Sequence, residues 1–277
     1  MASATVQVSS GHGSILAQKP TVPVFEKPHH VQTTLNFFKD KSFNKPSISL
    51  PVTIHDISGH KLDYSLDRNG FQFYYYESTE TDFLDNEKIE REYYPETEKL
   101  LKHAPNIRSH HPPRTSRHTQ KRSRPASRSV QHVHIDQSYK ASENRVSHHL
   151  PDEALELLRG RFQIINVSRP ICTILKDPLT AADPHTVPDS DLVPVGLIYP
   201  DREGETYSVK PDPEIKWYYR YGPMPDLVTL IKCFDSKTVG RARRVPHSAF
   251  VNTETEREDG RESIEVRALV FHPGDRE

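Results

Sequence analysis

The sequence predicts a mainly β protein with flanking helices, an α+β arrangement around a jelly-roll core. Short runs of β-branched or aromatic residues, separated by Pro, Gly and Asp, fill most of residues 162–271. Two segments upstream, 82–103 and 138–161, carry helical patterns instead. Many short strands with turn residues between them are typical of sandwiches, jelly rolls and barrels. We expect the helices to pack on one side of that core.

The individual elements follow from local patterns. Proline cannot continue a helix without losing a hydrogen bond, so Pro95 should divide 82–103 into two short helices. Pro151, followed by two acidic residues, should start a helix within 138–161. The segments expected to form strands are 71–78, 129–138, 162–168, 191–199, 204–210, 215–221, 226–236 and 262–271.

The chain is 277 residues long, which is enough for one large domain. Residues 1–50 are polar and proline-dotted, and we expect an extended or disordered N-terminal arm there. Residues 51–277 should form a single domain, interrupted at 106–128 by a segment with seven Arg or Lys and no acidic residue. Almost nothing in that segment is apolar, so we expect it to be disordered.

Composition argues against several classes of protein. The net charge is -1, so no global field attracts the chain to nucleic acid or to a membrane surface. Segment 106–128 is basic, but it lacks interleaved aromatic residues, and nucleic-acid binding is disfavoured. Two cysteines are too few for a disulfide framework or a zinc cluster. With no apparent signal peptide or membrane span, we expect a cytoplasmic protein of undetermined oligomeric state.

The stretch SVQHVHIDQS, residues 129–138, holds the first candidate site. Residues i and i+2 of a strand share a face, so His134 and Asp136 would project side by side. Together they could fill two positions of a three-ligand iron site, which needs a second histidine from elsewhere. A single H-x-D is weak evidence, because about one match is expected by chance in this composition. An exposed polar strand is the alternative, and His132 on the same face is a rival ligand.

His247, in RRVPHSAFVN, is the candidate for the missing histidine. Fourteen residues later, alternation places Arg261, Ser263, Glu265 and Arg267 on one strand face. A guanidinium and a hydroxyl two residues apart suit the carboxylate of a dicarboxylate cosubstrate. The alternative is a salt-bridged outer face of an edge strand. The order H-x-D, distant His, R-x-S is the order that a 2-oxoglutarate oxygenase requires.

At this point the chain resembles a known family, the fungal hydroxylase/desaturases of secondary metabolism. That family includes gibberellin desaturase-like and aspergillic-acid-pathway enzymes and is related to a bacterial cephalosporin-methoxylase component. The resemblance is dense over residues 130–271 and looser over 21–105. The motifs that carry it are VHIDQS, GRFQIINVSRPI, KDPLTAADPHTVPDSDLV, KWYYRYGPMPDLVTLIKCFDS, VPHSAF and RESIEVRALVF.

The resemblance implies a double-stranded β-helix, jelly-roll or cupin-like, that oxidises a small-molecule substrate. It implies Fe(II), 2-oxoglutarate and O₂, with succinate and carbon dioxide as co-products of hydroxylation or desaturation. The implied iron ligands are His134, Asp136 and His247. The implied cosubstrate anchors are Arg261 and Ser263, with Arg267 as an alternate. Residues that could line the pocket are Asn166, Arg169, Trp217 and Tyr219.

Two features depart from the family pattern. Ser168 stands where relatives usually carry a tryptophan, and the basic segment 106–128 replaces a hydrophobic strand before the H-x-D motif. A catalytically impaired family member is therefore one alternative. A metal-dependent cupin isomerase or hydrolase that uses zinc or manganese without 2-oxoglutarate is another.

Overall fold

The computed structural model describes residues 28–39, 47–60, 63–104, 114–115, 130–198, 203–272 and 274–275, with only the backbone described at 114–115. Within these ranges, thirteen strands and four α-helices form. The strands are β1 (Val31–Phe38), β2 (Ser47–Asp56), β3 (Phe71–Tyr75), β4 (Arg114–Thr115), β5 (His134–Ile135), β6 (Arg161–Pro170), β7 (Leu179–Ala182), β8 (Leu192–Ile198), β9 (Glu203–Val209), β10 (Trp217–Tyr219), β11 (Leu227–Asp235), β12 (His247–Ala249) and β13 (Ser263–His272). The mainly β fold with few helices is confirmed.

The strands form two sheets. The larger sheet has the order β1-β2-β10-β7-β12-β5-β9-β8, and the smaller has the order β3-β11-β6-β13-β4. Neighbours pair antiparallel, except that β10 runs parallel to β2. Strands distant in the sequence thus become neighbours, as when β5 is placed between β12 and β9.

The two sheets face one another across a shared interior. One buried apolar cluster takes residues from strands of both sheets and from the loops beside them, and its buried members are Ile57, Phe71, Ala181, Ile231 and Val245. Burial of apolar surface is the main favourable term holding such layers together. The interior between the sheets is therefore where inward-facing polar residues are also kept from water.

Helices α1 (Asn86–Lys88) and α2 (Tyr94–His103) lie on the smaller sheet's outer side, joined by a π-helical turn at Ile89–Tyr93. Leu100 of α2 is buried in one cluster with outward-facing residues of β6, β11 and β13. The break expected at Pro95 does not occur, and the backbone stays helical from 86 to 103. Pro95 occupies the first turn of α2, where a missing N–H is tolerated.

Helices α3 (Tyr139–His149) and α4 (Ala154–Leu157) close one end of the interior. Their apolar residues form a cluster with Phe162 and Phe271, from β6 and β13. Pro151 lies in the turn between the two helices and does not start either of them. No helix in the described part of the chain is long and apolar enough to cross a bilayer.

The N-terminal arm expected at residues 1–50 contains all of β1 and the start of β2. Val31, Leu35 and Phe37 of β1 are buried, and β1 pairs with β2 over eight residues. The boundary at residue 50 therefore falls inside a strand, because the apolar residues of β1 complete the core of the larger sheet. Residues 1–27 lie outside the described residues.

The basic segment 106–128 is described at two positions only. Residues 114–115 form β4, which pairs with Ala268 and Leu269 at the edge of the smaller sheet. A strand therefore does precede β5 in the chain, although the sequence of the segment predicts none. The expectation of disorder for the rest of the segment concerns residues outside the described ranges.

Gly70 is required by the turn that enters β3. Its φ of +73° is a conformation that L side chains rarely adopt, and an added Cβ would collide with Cγ2 of Val245. We predict that Gly70→Ala lowers the free energy of unfolding by about 2 kcal/mol or more, measured by urea denaturation. Gly196→Ala, at an open position in β8, should change stability by less than about 0.5 kcal/mol. Equal effects of the two substitutions would contradict this account.

Candidate metal centre

Two histidines far apart in sequence lie opposite one another in the larger sheet. His134 of β5 is the register partner of His247 of β12, and their ring centroids are 4.5 Å apart. The placement depends on β5, which has only two residues but is paired on both sides. Antiparallel pairing of these short strands is what brings the two imidazoles together.

Asp136 completes the cluster from just beyond the end of β5. Its Oδ1 lies 3.8 Å from Nε2 of His134, and its Oδ2 lies 3.8 Å from Nε2 of His247. One ligand atom from each of the three residues lies within 4.8 Å of the others. The H-x-D motif and the distal histidine thus converge as the spacing argument requires.

The far side of each imidazole is held by a backbone carbonyl. Nδ1 of His134 lies 2.7 Å from the carbonyl oxygen of His132, and Nδ1 of His247 lies 3.1 Å from that of Val245. A carbonyl can only accept, so Nδ1 is the protonated nitrogen and donates in both rings. Each Nε2 is left with its lone pair directed at the cluster, which is the arrangement that metal-binding histidines need. His132, the rival ligand, directs Nε2 instead toward Ser208 Oγ at 3.2 Å.

Burial and charge set the protonation of the cluster. Burial, with a contribution from the neighbouring His247, lowers the pKa of His134 to about 4. Burial alone would raise the pKa of Asp136, but the Arg267 guanidinium and the two imidazoles hold it below its ordinary range. At neutral pH His134 is therefore a neutral imidazole and Asp136 a carboxylate, the states in which both bind metal.

Arg267 makes an ion pair with the carboxylate. Its Nη2 lies 2.5 Å from Asp136 Oδ1, and both side chains are largely buried. The sequence offered Arg267 as an alternate anchor for the cosubstrate. Its position opposite Asn166 in the β13–β6 register brings it to the metal cluster instead.

Two further groups contact the other carboxylate oxygen. Cys233 Sγ lies 3.3 Å from Asp136 Oδ2, and Asn166 Nδ2 donates to the same oxygen at 3.4 Å. Burial raises the pKa of the Cys233 thiol well above its usual value, so it stays protonated. Nothing in the sequence around Cys233 indicates this role, because its contact with Asp136 crosses from one sheet to the other.

Ser263 is the first residue of β13, and Arg261 lies two residues before it. Arg261 Nε donates to Ser263 Oγ at 3.2 Å, and its Nη2 lies 3.4 Å from Glu265 Oε1 and 3.5 Å from Ser168 Oγ. Glu265 Oε2 in turn accepts from Asn166 Nδ2 at 3.2 Å. A continuous polar row thus runs along the inner face of the smaller sheet from Arg261 toward the metal cluster.

A small cleft opens beside this row, with Ser168 and Arg261 in its lining. Ala181, which lines it, is the register partner of His247. Most of the lining is apolar or aromatic, and the cleft residues include Phe71, Phe73, Ser168, Ile174, Leu179, Ala181, Tyr218, Tyr219, Arg220, Thr229 and Arg261. Arg261 therefore lines the cleft directly, whereas the histidine pair is connected to it through the strand pairing of Ala181 with His247.

The four residues expected to line a pocket have different positions. Asn166 is in the polar row, and Tyr219 lines the cleft while its hydroxyl donates to the His29 carbonyl at 2.5 Å. Trp217 is fully buried in the apolar core of the larger sheet. Arg169 lies on the outer face of β6 and donates to Tyr93 Oη at 3.1 Å. Strand alternation explains why Asn166 and Arg169 lie on opposite faces of β6, because they are an odd number of residues apart.

The chain is similar in sequence to a described protein family and to several fungal enzymes. A family profile described as "Oxidoreductase/YMDC permease-like domain" matches residues 18–271. The hydroxylase/desaturase efuI of Hormonema carpetanum is 32% identical over 281 residues, covering 87% of this chain and 95% of that protein. The alpha-ketoglutarate-dependent dioxygenase phiK of a fungal species is 35% identical over 221 residues, covering 75% and 79%.

Among solved structures, the iron and alpha-ketoglutarate-dependent endoperoxidase NvfI is similar, with a TM-score of 0.78 at 23% sequence identity. The match covers 88% of this chain and 98% of NvfI, and the jelly-roll fold predicted from the sequence is confirmed. The extent of the family profile and of the efuI match settles the classification. This chain belongs to the fungal hydroxylase/desaturase family.

Proposed function

We propose that the chain is an Fe(II)- and 2-oxoglutarate-dependent oxygenase that hydroxylates or desaturates a small apolar metabolite. The observation that carries the proposal is the convergence of His134, Asp136 and His247. A polar row runs toward this cluster from Arg261, whose side chain is largely buried just before β13. Relatives with the dioxygenase name support the same activity.

The donor set fits iron. Two imidazole nitrogens and one carboxylate oxygen are the ligands of the facial site that leaves three positions of Fe(II) open. A structural zinc site closes its coordination with four protein ligands, whereas the cluster found among the described residues offers three. Open positions are needed for the cosubstrate and for oxygen.

When bound, iron and 2-oxoglutarate supply the chemistry, since O₂ oxidises a C–H bond while 2-oxoglutarate is converted to succinate and carbon dioxide. The protein's contribution is position and charge. Carbonyls behind His134 and His247 fix their rings, and Arg267 keeps Asp136 ionised and oriented. Arg261 would bind the far carboxylate of 2-oxoglutarate, with the Ser263 hydroxyl beside it.

The cleft supports an apolar substrate. Phe71, Phe73 and Tyr218 form an aromatic wall. Ala181 of β7 is the register partner of both Tyr218 and His247, so one strand lies between these two residues. Such a lining binds small rings by excluding water, and a dry site also prevents side reactions of the oxidant.

Binding measurements test the proposal directly. Under anaerobic conditions, Fe(II) plus 2-oxoglutarate should give a weak visible charge-transfer band with the native protein. His247→Ala should abolish metal binding, because it removes one of three ligands. Arg261→Gln should leave metal binding intact but weaken 2-oxoglutarate binding by about tenfold or more, because a charged fork is lost.

His60→Ala is the matched control, since His60 is exposed and distant in sequence from the cluster residues. It should leave the band unchanged. If the folded native protein gives no band, the oxygenase proposal fails. If Arg261→Gln leaves both metal and 2-oxoglutarate binding intact, a metal enzyme that needs no 2-oxoglutarate is the better account.

Glu265 should oppose cosubstrate binding. Its carboxylate is already 3.4 Å from the Arg261 guanidinium, so an incoming carboxylate must share that cation with a like charge. We predict that Glu265→Gln tightens 2-oxoglutarate binding by about three- to tenfold, measured by anaerobic titration of the charge-transfer band. Glu258→Gln, at an exposed position, should have no effect. Weaker binding in Glu265→Gln would show instead that the carboxylate is needed to position Arg261.

A further inference from the structure

The cleft contains a second buried guanidinium that the proposed oxygenase chemistry does not use. Arg220 directly follows β10, is 6% exposed, and lines the same cleft as Arg261. Arginine is rarely buried without groups that satisfy its charge and its five N–H donors. The groups around Arg220 therefore indicate which kind of ligand the cleft binds.

One side of the Arg220 guanidinium is fixed by protein groups. Its Nη1 donates to Ser58 Oγ at 2.6 Å and to the carbonyl of Tyr221, and both of these acceptors are neutral. Ser58 Oγ donates onward to Asp56 Oδ1 at 2.5 Å. That same oxygen accepts the backbone N–H of Ser58 and of Tyr221, so the whole turn is hydrogen-bonded. Arg220 is thus held in place but meets Asp56 only through a hydroxyl.

The other side of the guanidinium lacks a partner among the described residues. Arg220 Nε is buried, and it has no hydrogen-bond acceptor in the part of the chain that the structure describes. A buried charged N–H without an acceptor is costly, so such groups are normally completed by a partner. The Nε–H and the adjacent Nη2 form the edge of the guanidinium that matches the two oxygens of a carboxylate.

The cosubstrate does not account for Arg220. One end of 2-oxoglutarate belongs at the metal and the other at Arg261, which has Ser263 and Ser168 beside it. Under the proposed function, the ligand that remains for the cleft is the substrate, which would contact Phe71, Phe73 and Tyr218.

We propose that the substrate is an apolar, ring-containing carboxylic acid whose carboxylate binds the Nε edge of Arg220. This proposal rests on the proposed oxygenase function. The carboxylate fixes one end of the substrate, and the aromatic wall holds its ring system beside the histidine pair. Orientation of that kind decides which C–H bond is presented for oxidation.

A matched pair of probes tests the proposal. The protein loaded with Fe(II) and 2-oxoglutarate under anaerobic conditions is titrated by calorimetry with 2-naphthoate and with 2-naphthalenemethanol, its neutral counterpart. The native protein should bind 2-naphthoate at least about tenfold more tightly than the alcohol. Arg220→Gln should abolish this preference, and Arg220→Lys should retain only part of it, because lysine keeps the charge but lacks the fork.

Controls separate this proposal from the one it rests on. Arg159→Gln, at an exposed position in the turn after α4, should preserve the preference for the acid. The charge-transfer band of Arg220→Gln reports on iron and 2-oxoglutarate alone, so a normal band with a lost preference supports the proposal. Equal or absent binding of the two probes to the native protein, or a preference that survives Arg220→Gln, overturns it. Loss of 2-oxoglutarate binding in Arg220→Gln but not in Arg261→Gln also overturns it, because Arg220 would then be the cosubstrate anchor.

Discussion

The ion pair between Arg267 and Asp136 is the interaction on which the site depends. It joins the smaller sheet to the larger one, at the point where His134 and His247 converge. A buried carboxylate alone would gain a proton and lose its value as a ligand. The guanidinium, together with the two imidazoles and the Cys233 thiol, outweighs the effect of burial and keeps the carboxylate ionised. The larger sheet thus brings the three side chains of the cluster together, and the smaller sheet supplies the cation that keeps Asp136 ionised.

Strand alternation made part of this arrangement predictable from the sequence. The shared face of His134 and Asp136, and that of Ser263, Glu265 and Arg267, follow from a period of two. The same rule separates Asn166 from Arg169, although both were expected at the pocket. Alternation defines the face on which a side chain lies, but it does not define what the other sheet places opposite that face. The contact of Arg267 with Asp136 was unpredictable for that reason.

The fold, like the site, was predictable in part from the sequence. Runs rich in β-branched and aromatic residues identified most of the strands, because their burial on both faces leaves a continuous apolar signal. β1 gave a weaker signal, since only Val31, Leu35 and Phe37 are buried and its other residues are at least partly exposed. β1 becomes a strand of the sheet by pairing with β2, and this pairing cannot be predicted from the residues of β1 alone. Pro95 is the opposite case, because its sequence signal is strong but misleading. The proline predicts a helix break, yet it lies in the first turn of α2, where the helix tolerates it.

Charge balance connects the site to its ligands. The inner polar row and the cluster hold two guanidiniums, Arg261 and Arg267, and two carboxylates, Asp136 and Glu265, which offset one another. A divalent iron and a doubly charged 2-oxoglutarate would enter together without disturbing that balance. Arg220 is different, because it lines the same low-dielectric cleft while its Nη1 donates only to neutral groups. Asp56 meets Arg220 only through the Ser58 hydroxyl, so in our proposal an anionic substrate would bind the remaining Nε edge of the guanidinium. The same electrostatic argument that explains why Asp136 stays ionised therefore also underlies the proposed character of the substrate.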